Sequence, residues 1–206
     1  VLWELEEKYT LAEDRYKELI IESVDPAFVL NLQFRLGVIV SDQGRHLEAI
    51  TLFKTLIRDP EVTPDEIQIL SLAQGAAEIY HGKTRRGVRR INKVLSSEGS
   101  RNQPWIESRA REALVFALIQ KSEGYAFGSV KKTTRNFKKR SGLVGVAEEQ
   151  IVVMIDLEEP EYVLKSLLQL SGAYIQVANE MRLVSPPRKL DREQQIAFQD
   201  SLNDKA

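Results

Sequence analysis

The stretch AEIYHGKT, Ala77 to Thr84, has the spacing of a loose phosphate loop: a small residue, four free positions, then Gly-Lys-Thr. In that chemistry Lys83 would reach the phosphates of a nucleoside triphosphate and Thr84 would hold magnesium. Two histidines lie beside glycines, His46 after Gly44 and His81 before Gly82. Either could serve as a general base if a nucleophile stood next to it. A third set is basic. GKTRRGVRRINK places Lys83, Arg85, Arg86, Arg89, Arg90 and Lys93 around an apolar stripe of Val88, Ile91, Val94 and Leu95. KKTTRNFKKR adds Lys131, Lys132, Arg135, Lys138, Lys139 and Arg140 around Val130, Thr134 and Phe137. Such segments suit an anionic partner.

Each chemistry needs a particular scaffold. A phosphate loop joins a buried strand to a helix, so that glycine amides and the helix N-terminus converge on phosphate. The residues before it here, ILSLAQGAAEIY, are alanine-rich and carry Ile69, Leu72, Ala76 and Tyr80 on a helical stripe. Ala77 stands where the loop needs its first glycine, and no strand-like Asp segment follows to hold magnesium. The stretch is therefore expected to be a turn between helices, and a P-loop-like NTPase is the remote alternative. The histidines are expected at exposed turn positions. No GxSxG elbow, HExxH pair or paired-carboxylate arrangement is recognisable, so the expectation is a non-enzyme without a cofactor. The absence of cysteine removes disulfides, thiol catalysis and thiolate metal sites, and two histidines alone cannot form a His-rich metal site.

The chain has 206 residues, 43% hydrophobic and 29% charged, which is ordinary for a soluble globular protein and enough for a real core. No apolar run approaches the roughly 18 residues of a membrane span. The chain starts at Val1 without methionine or signal peptide, so a trimmed chain is expected and export is not legible. Cytoplasm and periplasm suit a cysteine-free chain equally. The net charge of −1 hides a polarity: residues 81–140 hold 16 Lys and Arg against four acids, and the rest holds 13 bases and 26 acids. The basic middle either pairs with the acidic flanks or faces an anionic partner.

Helical periodicity dominates. Val29, Leu32, Leu36 and Ile39 form one stripe, and Leu47, Ala49, Ile50, Phe53, Leu56 and Ile57 form the next. Asp25-Pro26 opens the first as cap and first residue. Thr63-Pro64-Asp65-Glu66 opens a third with capping-box spacing, and Pro104 starts another. Self-comparison adds a repeat: Gly37, Gly44, Ala49 and Phe53 recur as Gly75, Gly82, Gly87 and Ile91, a shift of 38. Partial copies place Ala12, Tyr16 and Leu19 before Ala49, Phe53 and Leu56 by 37, and Ala113 38 after Gly75. Small residues on both helices permit a close crossing, a large residue one turn later plugs the gap, and a glycine makes the turn.

These residues resemble the tetratricopeptide repeat family. FRLGVIVSDQGRHLEAITLFKTLIRDP carries that family's Leu-Gly pair (Leu36, Gly37), turn glycine (Gly44), small residue (Ala49), aromatic (Phe53) and terminal proline (Pro60, one position early). Residues 65–97 match less well, with Gln74, Gly87 and Ile91 at the positions of leucine, alanine and the aromatic. A linker around Asp59–Pro64 about four residues longer than usual would account for a period of 38 instead of 34. The resemblance implies an all-α, right-handed solenoid of antiparallel helix pairs with a divergent C-terminal helical part. Its expected pieces are a helix of a preceding or partial repeat at 1–22, repeat units at 25–60 and 63–97, a degenerate unit with a basic helix at 104–140, a helical pair at 143–184, and a polar helix or linker at 185–206.

The resemblance also implies that first helices line a concave groove and second helices the convex side. The groove positions would be Phe34, Val38, Leu72, Ala76 and Tyr80, continued by Leu114 and Leu118. They are mostly apolar, and the Lys/Asn clamp for a chaperone's C-terminal carboxylate is missing. Residues 161–184 spread apolar side chains over more than one face, as a helix buried on two sides does, and are the obvious internal cover for such a groove. The glycine-rich stretch 124–128 lacks a phosphate-loop pattern and suits close packing at a distorted turn. The expectation is a non-catalytic protein-interaction module or assembly scaffold holding a peptide or helix in an apolar groove, with self-assembly through the C-terminal helix an option. The alternative is a binder of nucleic acid or an acidic surface through segments 83–93 and 131–140.

Overall fold

Two proline-started helices set the frame. Asp25 accepts from the backbone amides of Ala27 and Phe28 at 3.0 and 3.5 Å, and Pro26 supplies the first helical residue. Thirty-eight residues on, Thr63 and Glu66 close a reciprocal capping box ahead of Pro64. Each cap satisfies amides that the helix itself cannot. The computed structural model describes residues 2–97 and 103–205, side chains from residue 8 to 203. Among the described residues the chain is all-helical, with nine helices and no strand. These are α1 (Leu2–Glu22), α2 (Pro26–Asp42), α3 (His46–Leu56), α4 (Pro64–Tyr80), α5 (Thr84–Leu95), α6 (Pro104–Glu123), α7 (Val130–Asp156), α8 (Pro160–Arg182) and α9 (Arg192–Lys205). No helix there is long and apolar enough to cross a membrane. The chain divides into two compact units, Val1–Ala113 and Leu114–Ala206, and the division falls within α6.

In the first unit α1 to α5 each pack on the next. The 38-residue repeat is visible bond for bond. At the end of α2 the amides of Gln43, Gly44 and Arg45 donate to Ile39, Ser41 and Val40; at the end of α4 those of His81, Gly82 and Lys83 donate to Ala77, Ile79 and Glu78. Gly44 and Gly82 sit at φ 80° and 85°, the left-handed region that closes a helix and favours glycine. The crossings match too. A Cβ at Gly37 would lie 2.6 Å from the Phe53 ring, and one at Gly75 would lie 2.6 Å from Ile91. Ala49, Phe53 and Leu56 of α3 and their counterparts Gly87, Ile91 and Val94 of α5 are all buried. Leu47, expected on the same stripe, is exposed, because it faces outward beside the turn. The long linker is ordered: the Asp59 carboxylate accepts from the Glu61 amide at 3.0 Å, and Val62 is buried as a plug.

From Leu70 to Ile79 every residue of α4 is buried, whichever way it points. The helix therefore lies inside the unit rather than along one side of it. Its first neighbours are α3 and α5, with α2 also in contact. Phe34 joins the core by ring contacts to Phe53 (6.1 Å) and Trp105 (5.6 Å).

The second unit has its own core, formed by Val115 and Ile119 of α6, Val144, Ala147, Ile151 and Met154 of α7, and Leu170 and Ala173 of α8. The expected break between residues 140 and 143 is absent. Ser141-Gly142 lies inside α7, whose buried stripe continues from Asn136 and Arg140 through Val144 to Met154 without losing helical phase. After the proline break α9 packs on α8, where Gln199 Nε2 donates to the Arg182 carbonyl at 2.6 Å. The stretch 124–129 folds back onto α7: Asn136 Nδ2 donates to the Ala126 carbonyl at 2.7 Å.

Candidate functional site

The phosphate-loop spacing at Ala77–Thr84 lies at the end of α4 and the start of α5. Ala77 is in the last turn of a helix, Gly82 makes the helix-ending turn, and Lys83 is exposed at the N-terminal edge of α5. No strand precedes it, and the amides of His81, Gly82 and Lys83 are already committed to α4 carbonyls.

Beside this turn the first unit gathers polar groups. His46, expected to be exposed, is half-buried and stacks on Tyr80 with ring centroids 5.6 Å apart; His81 is exposed as expected. Nδ1 of His46 is 3.3 Å from the buried Ser41 hydroxyl. Tyr80 donates to the Glu112 carboxylate, and Arg109 donates to Asp42 at 2.6 Å. Burial foremost, then Glu112, pushes the Tyr80 hydroxyl well above its ordinary value. A serine beside a histidine invites a hydrolytic reading, but Asp42 is committed to Arg109, Glu112 to Tyr80, and Ser41 is closed to substrate. The cluster ties α2, α3, α4 and α6 together; it fastens the fold.

It also makes stability pH-dependent. Burial, then the charges of Arg109 and His81, holds His46 below its ordinary value of 6.5, with Asp42 opposing. The unfolded chain then takes up the proton first. The His46 contribution is fully present above about pH 6.5 and is lost as pH falls from there through the lowered folded value. His46→Gln should flatten the denaturation midpoint of the first unit between about pH 7 and pH 5 while leaving the loss below the carboxylate range, where Glu13 protonates. Urea melts at several pH values check this.

The expected groove positions of the first unit are largely covered, although Phe34, with Leu30, Ile69 and Trp105, lines a groove of about 320 Å³. Phe34, Val38, Leu72 and Ala76 are buried within the first unit, and Tyr80 is half-buried under Glu112 and His46. Leu114 is buried in the second unit, and Leu118 packs against its core. The reason is geometric: the face of α2 and α4 that would line a groove meets the start of α6, where Trp105 covers Phe34 and Arg109 reaches Asp42. Nor is residues 161–184 a free cover, since the buried face of α8 (Ser166, Leu170, Ala173) joins the core of its own unit.

The basic positions divide. Arg85 and Arg89 are exposed, but Arg86 and Arg90 converge on Glu78, whose side chain is 0% exposed, at 2.9 and 3.1 Å. Lys131, Lys132, Arg135, Lys138 and Lys139 are exposed, with Lys139 over the Tyr125 ring. Arg140 is a correction to the expected patch: it is 1% exposed, paired with Glu180 at 2.7 Å and covered by the Phe127 ring.

Exposed apolar side chains occur on both units, Leu11, Ile21, Val24 and Phe28 on the first, but a continuous stripe of them lies on α8 of the second. Leu164, Leu168 and Ile175 of α8 are 60, 66 and 60% exposed, and Leu167 and Tyr174 flank them. On a helix these positions face away from Leu170 and Ala173. The second apolar face that the sequence gives α8 is thus present and uncovered among the described residues. A groove of about 680 Å³ runs between α7 and α8, lined by Phe137, Val144, Gly145, Val177 and Met181 with Arg140 among them. The sequence signalled the uncovered face but not the groove, which depends on the α7–α8 pairing. Among the described residues no cluster of three or more His, Asp or Glu is placed to hold a metal ion. Comparison of the chain with protein-family models, curated proteins and solved structures finds no match.

Proposed function

We propose that this chain is a non-catalytic helical assembly module, in which α2–α5 are two tetratricopeptide-like units of a right-handed helix-pair solenoid and α8 carries the contact surface. The observation that carries the reading is the uncovered stripe Leu164, Leu168, Ser171, Ile175. Its spacing of four, three and four residues is the seam by which one helix packs along another. A second copy of α8 is the occupant that the stripe itself specifies. Run antiparallel, Leu164 meets the partner's Ile175 and Leu168 meets the partner's Ser171, so one surface serves both sides of a two-fold contact. A Cβ at Gly172 meets nothing within 4 Å, which leaves room at the crossing. Only Lys165 carries charge between Leu164 and Ile175. The five exposed side chains leave on the order of 500 Å² uncovered per copy, so pairing would bury about 1,000 Å², the lower end for a specific interface.

Sedimentation velocity over about 10–200 µM tests the proposal. The native chain should shift from monomer toward dimer in that range, and Leu164→Glu with Leu168→Glu should stay monomeric with unchanged helical circular dichroism. A native chain that stays monomeric throughout sinks self-docking. A dimer that survives the double substitution moves the interface away from α8.

A further inference from the structure

The α7–α8 groove contains a feature that self-association does not use. Arg140 is 1% exposed, yet only its Nη1 has an acceptor, the Glu180 carboxylate at 2.7 Å. Its Nε and Nη2 are buried with no protein acceptor. Those two nitrogens form one edge of the guanidinium, with N–H bonds running parallel, the edge that grips a carboxylate through two bonds at once. A buried, half-satisfied guanidinium is costly unless something completes it.

The surroundings hold this edge in place. Phe127 lies over the guanidinium, 5.1 Å from its carbon to the ring centroid, and the Asn136–Ala126 hydrogen bond keeps the loop bearing Phe127 against α7. Glu180 is steadied in turn by Gln176 Nε2 at 3.1 Å. Two acids adjoin the groove, but Glu180 is engaged by Arg140 and Glu148 by the Tyr174 hydroxyl. The exposed lysines and arginine of 131–139 give the same end of α7 a positive field that favours an anion. The remaining lining is mainly apolar, and its volume of about 680 Å³ is that of a small-molecule site.

We infer that the α7–α8 groove binds a small aliphatic carboxylic acid, its carboxylate on Nε and Nη2 of Arg140 and its chain along Val144, Val177 and Met181. The acceptor completes the guanidinium, and the chain is removed from water along the groove. The basic segment 131–140 then has a role that needs no nucleic acid: its exposed members draw the anion in and its last member holds it.

Calorimetric titration of the intact chain with decanoate, decanamide and decanol tests this. Decanoate should bind one per chain and about ten-fold tighter than either neutral analogue, the worth of a charge-assisted pair over a neutral one. Arg140→Gln, which removes both the charge and the fork, should remove that preference. Because a substitution at a buried arginine can unfold the unit, Gly145→Leu supplies the second arm. A Cβ at Gly145 meets nothing within 4 Å, so a leucine there should obstruct the groove beside Val144, leave the melting temperature at or above that of the native chain, and weaken decanoate binding at least about ten-fold. Decanamide binding as tightly as decanoate, decanoate binding unchanged in Gly145→Leu, or no decanoate binding at all each overturns the assignment.

Discussion

Replacing Arg86 and Arg90 together by alanine should destabilise the first unit by roughly 3–5 kcal/mol, the cost of leaving a buried carboxylate without its partners. Glu78 sits on the enclosed part of α4 at 0% exposure, and both arginines come from the neighbouring α5. Arg90 approaches both carboxylate oxygens, through Nε at 3.1 Å and Nη2 at 3.2 Å, whereas Arg86 adds one ion-pair contact at 2.9 Å and is itself largely exposed. Arg90→Ala alone should therefore cost more than Arg86→Ala alone. The diagnostic result is rescue: Glu78→Leu in the double-alanine background should recover most of the loss, because the leucine needs no partner. Chemical denaturation, with amide exchange along α4 to localise the effect, provides the readout. A loss below about 1 kcal/mol would mean that Glu78 is hydrated, the cost of a surface ion pair being that small.

The same pairing alters how an anionic partner should be sought. Reversing Arg86 and Arg90 would destabilise the first unit as well as change its surface charge, so a lost interaction could not be read as lost contact. Arg85, Arg89, Lys138 and Lys139 are exposed and are the informative positions. Unpaired surface charge is what such a partner could meet, and it amounts to less than the sequence count for 81–140 suggests.

Much of the first unit was legible because its signals are local. Asp25-Pro26 and Thr63-Pro64 cap helices by bonds within four residues, and Gly44 and Gly82 end them by a backbone preference that a single residue decides. The 38-residue shift exposed the crossings, since Gly37 against Phe53 and Gly75 against Ile91 are the same contact made twice. The misreadings concern partners distant in the chain. Phe34 and Tyr80 resemble groove residues until Trp105 and Glu112 are placed on them. Arg140 is one base among six in KKTTRNFKKR, and only the arrival of Glu180, forty residues away, takes it inside. The expected unit bounds, 104–140 and 143–184, leave Ser141-Gly142 between units, yet Val144, Ala147 and Ile151 continue the stripe of Arg140, and a continuous buried face outweighs one weak helix former. α8 was the mirror case: two apolar faces were visible in sequence, and which of them the fold would cover was not.

Gly87→Ala should destabilise the chain by about 2–3 kcal/mol, although alanine is the better helix former by about 1 kcal/mol. A Cβ there would lie 2.4 Å from the carbonyl oxygen of Gly75, 2.6 Å from Cγ1 of Ile79 and 3.0 Å from the Ile79 amide nitrogen. Two of those three atoms are backbone of α4, so no rotamer change relieves the clash, and α4 and α5 must separate. Separation costs more than one contact. Ile91 and Val94 would lose their seats, and the arginines that neutralise Glu78 would be drawn away from it. The sign is what makes the experiment sharp, because propensity and packing predict opposite outcomes at one residue. Gly142→Ala on α7 is the matched control: its Cβ meets nothing within 4 Å, so only propensity acts, and it should gain about 0.5–1 kcal/mol. Equal gains at both positions would show that α4 and α5 do not cross at glycine distance. A loss at Gly87 beside a gain at Gly142 would establish that α4 and α5 lie closer at Gly87 than a methyl group allows.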